Sequence, residues 1–181
     1  MTACRAVIAA LSLLVVVAVA RAQEPPKPGP EHEKLKQLAG EWDAKTTLHL
    51  PGVPAQESTG EFKAKMEVGG LFLVSQYKGQ MFGQQFIGRG LSGYDTYKKK
   101  YTGVWVDTMS TALYNIEGEF DKSGKVYTEH MEGPDPGTGK TMKMRSITEI
   151  KDKDHFTMKM YGPGPDGKEF LMMEGAYSRK K

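Results

Sequence analysis

Leu35-Lys36-Gln37-Leu38-Ala39-Gly40-Glu41-Trp42-Asp43-Ala44-Lys45-Thr46-Thr47-Leu48 holds the point at which the chain changes period. Before Gly40 the pattern is helical. Pro30 suits a first turn, Glu31 and Glu33 suit its positive end, and Leu35 and Leu38 form one apolar edge. A short helix over Pro30–Ala39 is predicted, stopped by Gly40. From Trp42 the period is two: Trp42, Ala44, Thr46 and Leu48 alternate with Asp43, Lys45, Thr47 and His49. Trp42–Leu50 is the first strand.

The same alternation continues to the end of the chain. Strands are predicted at Gly60–Val68, Leu71–Tyr77, Met81–Leu91, Tyr101–Met109, Thr111–Phe120, Lys125–Met131, Lys140–Ile150, His155–Tyr161 and Glu169–Arg179. Tight turns join them, among them Gly69-Gly70, Asp121-Lys122-Ser123-Gly124 and Pro163-Gly164-Pro165-Asp166-Gly167. Gly88 and Gly90 are expected to kink or bulge their strand. About ten short strands with no second helix specify an all-β, antiparallel up-and-down barrel carrying one short N-terminal helix. Closure follows because an open meander would leave two bare edges.

Upstream of the helix the sequence is an address. Arg5 precedes fifteen residues, Ala6 to Ala20, in which only Ser12 is polar, and Ala20-Arg21-Ala22 ends the run. That is the form of a secretory signal peptide with cleavage after Ala22. At ~1.5 Å per residue the run spans about 22 Å, too short for a ~30 Å hydrocarbon core. No stable membrane span is expected after cleavage, and an uncleaved anchor is the alternative. Residues 1–22 are thus signal peptide, 23–30 a proline-rich tether and 31–181 one barrel domain. The expected location is the bacterial periplasm or the medium.

Composition narrows the class further. The 181 residues carry 25 basic and 22 acidic side chains, a net charge of +3 that is too mild for a nucleic-acid partner. The only cysteine, Cys4, leaves with the signal, so the exported chain has neither disulfide nor thiol chemistry. Pro134-Asp135-Pro136-Gly137-Thr138-Gly139-Lys140-Thr141 imitates a phosphate loop. Proline stands where that motif needs glycine, and the segment reads as a hairpin loop. His32, His49, His130 and His155 show no metal-ligand spacing, and no metal site is expected. His32, on an exposed helix, reads as solvated.

Three groups of residues bear on function. Met142 and Met144, Met158 and Met160, and Met172 recur at spacing two on three consecutive strands, with Phe156 and Phe170 on the same faces. They form either ordinary core or an adaptable, polarizable cavity wall; copper(I) ligation is a third reading. Trp105 and Asp107 share a face, so Asp107 is either a pocket acid or a group bonding a turn amide. Asn115 and Glu117 are polar groups of the adjoining strand. Arg89, between Gly88 and Gly90, either reaches inward for a ligand head group or pairs outside.

Gly40-x-Trp42 after a short helix resembles the entry signature of calycins, the lipocalin and fatty-acid-binding group of barrels. That resemblance implies a tryptophan closing the barrel base with a basic residue across it, here Arg179. Segments 32–42, 88–95, 105–111 and 161–168 resemble the bacterial domain-of-unknown-function family 1579, which implies a lipocalin-like barrel in exported proteins and no transferable activity. The chain departs from the haem-binding nitrobindin branch, because Asp43-Ala44-Lys45-Thr46 replaces the glycine-rich continuation after Gly-x-Trp. No cofactor is expected.

The favoured expectation is non-covalent binding of a small apolar or amphipathic molecule inside the barrel. The alternatives are an enzyme using Asp107, Glu117 or Arg89 on an apolar substrate, and an envelope interaction scaffold with a filled core. No catalytic residue is assigned, and the sequence leaves the oligomeric state open.

Overall fold

A computed structural model describes residues 24–135 and 138–181. The signal segment lies outside the described residues. Helix α1 (Pro30–Lys36) is followed by ten strands: β1 (Gly40–Leu50), β2 (Val53–Glu67), β3 (Phe72–Met81), β4 (Gln84–Asp95), β5 (Lys100–Asp107), β6 (Tyr114–Phe120), β7 (Val126–Pro134), β8 (Thr141–Ile150), β9 (His155–Pro163) and β10 (Glu169–Arg179). Each pairs antiparallel with the next, and β1 pairs with β10, which closes the sheet into a barrel. Closure leaves no unpaired sheet edge.

Two turns differ from expectation. The chain turns at Phe82-Gly83 rather than running through Met81–Leu91, so Met81 ends β3 and Gln84 opens β4. Phe82 (φ 54°) and Gly83 (φ 74°) both take the left-handed backbone of a tight hairpin, and phenylalanine is a rare occupant of such a position. The second strand starts at Val53, not Gly60, because Pro51-Gly52 reverses the chain directly after β1. Its first half, Ala55-Gln56-Glu57-Ser58-Thr59, is polar and carries no apolar alternation to reveal it.

Gly88 and Gly90 do not break the register of β4. They clear room for an indole: a Cβ on Gly88 would lie 2.0 Å from Trp105 Cζ2, and one on Gly90 would lie 3.2 Å from Cε3. The register shifts fall elsewhere, between Leu48 and Leu50 and between Leu171 and Met173. The second shift sends both Met172 and Met173 to the interior.

The larger of two buried apolar clusters lies at the base. Leu35 is fully buried beneath the barrel among Leu38, Trp42, Tyr101, Phe156 and Tyr177. Burying one such leucine contributes about 1.5–3 kcal/mol. Trp42 donates from Nε1 to the Leu38 carbonyl at 3.1 Å, and the Arg179 guanidinium lies 4.0 Å from its ring centroid. The same guanidinium donates from Nη1 to Ala39 O at 3.0 Å and from Nε to Lys153 O at 2.8 Å. Gly40, at φ 139°, leaves this space free, because a Cβ there would fall 2.0 Å from Nη1. His32 is buried rather than solvated: α1 seats it under Tyr94, and its Nδ1 accepts from the Gly29 amide at 2.9 Å.

Candidate functional site

Above this base the barrel holds a cavity of about 1330 Å³, partly open to solvent. Its mouth lies at the end opposite α1, beside the β1–β2 and β3–β4 hairpins and the β5–β6 loop, where Leu50, Phe82 and Met109 reach it. Its floor includes Leu35, Leu38 and Phe156. Nine of the eleven methionines line it. This follows from strand pairing: Met131, Met144 and Met142 lie on β7 and β8, and Met158, Met160, Met172 and Met173 continue the wall on β9 and β10. A wall of unbranched thioethers adapts to the shape of what it meets.

Of the residues named from the sequence, Trp105, Asp107, Met142, Met144, Phe156, Met158, Met160 and Met172 border this cavity. Phe170 is half-buried near the start of β10, opposite Gly162, and does not reach the cavity. Arg89 stands on the outer face. With Gly88 and Gly90 turned inward, alternation turns Arg89 outward, opposite Gln76 on β3. With the Gln76 amide presenting its oxygen, Arg89 donates to it from Nη2 and Nε at 3.0 and 3.1 Å.

Glu117 also faces outward, between the inward Ile116 and Gly118, and pairs with Lys98 and Lys100 at 3.1 Å each. Those lysines hold its carboxyl below the ordinary range. Asn115 is exposed on the same side, and His130 and His155 are exposed as well. His155 bonds Asp152 through Nδ1 at 2.9 Å.

Asp107 borders the cavity and also bonds a turn amide. Oδ1 accepts from the Met109 amide at 2.9 Å, as a strand-end carboxylate does, while Oδ2 accepts from Trp105 Nε1 at 2.9 Å. The indole is therefore fixed at both ends, by glycine space beneath it and by a carboxylate at its nitrogen.

The sequence reading missed Glu129. It lies on β7 between Tyr127 and Met131, and all three side chains line the cavity. Gly118 faces it from β6 and Ser146 from β8. What surface Glu129 retains opens onto the cavity rather than onto the outside. Burial pushes its carboxyl up to about 7. Tyr127, 3% exposed, has a hydroxyl that interacts with Glu129 but completes no well-formed hydrogen bond among the described residues. Burial raises its pKa, and the Glu129 charge raises it further. The signal was available in the alternation Tyr127-x-Glu129-x-Met131, which places an acid on an otherwise apolar face.

The sequence profile of a family described as proteins of unknown function, DUF1579, matches residues 27–179. The chain belongs to that family. Among curated proteins none matches the sequence. Of solved structures, Rv2717c from M. tuberculosis is similar at a TM-score of 0.66 and 15% identity, covering 84% of this chain and 99% of its own. The S-type phycobiliprotein lyase CPES from Guillardia theta is similar at a TM-score of 0.60 and 10% identity, covering 83% and 93%. At these identities the likeness is one of fold. In this DUF1579 member the cavity is the feature that bears on activity. Among the described residues no three metal-binding side chains come together, and no helix is long and apolar enough to cross a membrane.

Proposed function

We propose that this protein binds a small apolar or amphipathic molecule non-covalently inside its barrel, and does so after export. One observation carries the binding reading: a cavity of about 1330 Å³ into which nine of the eleven methionines project. Ligand pockets commonly enclose roughly 300–1,000 Å³, are mainly apolar and carry a few placed polar groups. Here those groups are Glu129, Tyr127 and Asp107. A void of this size weighs against the filled-core scaffold. The enzymatic alternative needed two of Asp107, Glu117 and Arg89 in one pocket, and only Asp107 borders the cavity. Export is supported by the signal-like pattern of residues 5–22.

The test starts from the protein isolated from its native host. Native mass spectra are expected to contain an additional discrete mass that is released on denaturation, and the same sample's absorption scan would classify a coloured ligand. Ligand-free protein should bind an apolar fluorescent dye saturably at one site. A bare polypeptide mass together with no saturable dye binding would overturn the reading. Fractionation with N-terminal sequencing tests export, with a mature chain beginning at Gln23 as the expected result.

A further inference from the structure

The charges at inward positions of the cavity wall have one sign. Strand pairing places two carboxylates, Asp107 and Glu129, at inward positions. Lys45 and Lys78 border the cavity but occupy exposed, outward positions of β1 and β3. Arg179 lies at the base, against Trp42. Among the described residues, then, no lysine, arginine or histidine side chain faces the space where a ligand would lie.

The two acids differ in what they already hold. Asp107 accepts from Trp105 Nε1 and from the Met109 amide. Among the described residues Glu129 has no salt-bridge partner. The side chains packed around it are Tyr127 on its own strand, Ile116 and Gly118 on β6, and Met144, Ser146 and Thr148 on β8. None of these is charged. The other titratable groups facing the interior are Asp107 and tyrosines, Tyr77, Tyr101, Tyr114 and Tyr177 among them. Beside the carboxylate is the buried Tyr127 hydroxyl, which interacts with Glu129 but completes no well-formed hydrogen bond among the described residues. A buried polar group whose hydrogen bonding is incomplete costs free energy that an arriving group can recover.

We infer that the ligand is an apolar molecule bearing a protonated nitrogen, an alkylammonium or arylalkylammonium, with that nitrogen on Glu129 and the Tyr127 hydroxyl as its second polar contact. The inference rests on the ligand-binding reading above and names the chemistry of that ligand. A fatty acid is opposed by the same arrangement, since its carboxylate would enter beside two acids with no inward cation to receive it. A neutral alcohol fills the methionine wall but leaves an ionised Glu129 unpaired. An ammonium donates charge-assisted hydrogen bonds to it, and these strengthen as the ligand's apolar part displaces water from around the pair. Because burial holds the empty site's carboxyl at about 7, the cation also draws Glu129 into its ionised form.

The experiment titrates decylamine, decanol and decanoate, each at micromolar concentration, into the ligand-free protein and its Glu129→Gln variant at pH 6 and pH 8. Decylamine is expected to bind about tenfold or more tighter than decanol at pH 8, with a smaller margin at pH 6. In E129Q the preference for decylamine over decanol should vanish, and far-UV circular dichroism with the urea midpoint reports that the variant folds. If decanoate binds tighter than decylamine, or if E129Q keeps the preference, the inference is overturned and the ligand-binding reading stands. If E129Q fails to fold, the parent decides, and an amine-to-alcohol ratio that does not rise from pH 6 to pH 8 overturns it. If none of the three binds, both fall.

Discussion

The Trp105 indole occupies the space that a side chain at Gly88 would need, with Cζ2 only 2.0 Å from where a Cβ would sit. The ring is held there by its 2.9 Å bond to Asp107, which lies directly opposite Gly88 in the strand register. Gly88→Ala is therefore expected to lift the ring toward the cavity centre and break that bond. Overpacking of this kind costs about 1–3 kcal/mol. Urea unfolding measures the loss, and the tryptophan emission of the folded variant should shift because Trp105 would leave its carboxylate. Unchanged emission and stability would show that the slot is not needed.

Arg179 joins three parts of the base, through the Trp42 ring, the Ala39 carbonyl and the Lys153 carbonyl. Arg179→Ala should cost about 1–3 kcal/mol, combining a cation–π contact with two directed hydrogen bonds. Arg179→Lys should recover less than half of that. An ammonium keeps the charge but cannot present separate donors in the plane of a guanidinium. Full rescue by lysine in chemical denaturation would reduce the role of Arg179 to charge alone.

Glu129 gives the folded protein a pH dependence of definite sign. Its carboxyl is raised from 4.5 to about 7, so between those values the folded state holds a proton that the unfolded chain has released. The stability it supports is present below about 4.5 and is lost as pH rises through 7. The carboxyls of Glu31, Glu117 and Glu169 are lowered and act with the opposite sign in more acid solution. The clean measurement is thus the stability difference between the parent and Glu129→Gln from pH 5 to pH 8. The parent is expected to lose roughly 1–3 kcal/mol relative to the variant across that range, water in the cavity setting the lower figure. A flat difference would place Glu129 in contact with bulk solvent.

Peroxide offers a separate reading of the cavity. Met109, 43% exposed at the mouth, should oxidise first in peptide mapping. Saturation with an apolar dye should then slow sulfoxide formation at Met142, Met158, Met160 and Met172, all of which line the cavity. Equal rates with and without dye would mean that the dye binds elsewhere.

How far the alternation could be read depended on what each face touches. Where one face meets the core, as in Trp42-x-Ala44-x-Thr46 and Phe156-x-Met158-x-Met160, both strand and direction were legible. The alternation faded in Ala55–Thr59, near the mouth, where inward Gln56 and Ser58 are as polar as their outward neighbours. The turn at Phe82-Gly83 was hidden because a phenylalanine with positive φ breaks the usual turn chemistry. Arg89 and Glu117 were ambiguous as isolated charges and become definite through their neighbours, since Gly88 and Gly90, and Ile116 and Gly118, take the interior. Glu129 was overlooked because a single acid on a mixed strand looks like surface until its two flanking aromatic and thioether positions are placed. Phe170 followed the right parity but lies too near the strand end to reach the cavity.

The barrel's first and last strands meet at its plugged end, where Trp42 at the start of β1 lies opposite Arg179 at the end of β10. The proline-rich stretch before α1 enters at that same end. Any linkage through either terminus, whether to a surface, a fused domain or a neighbouring protein, grips the vessel by its foot. The opening then faces away from the point of attachment, toward whatever lies beyond.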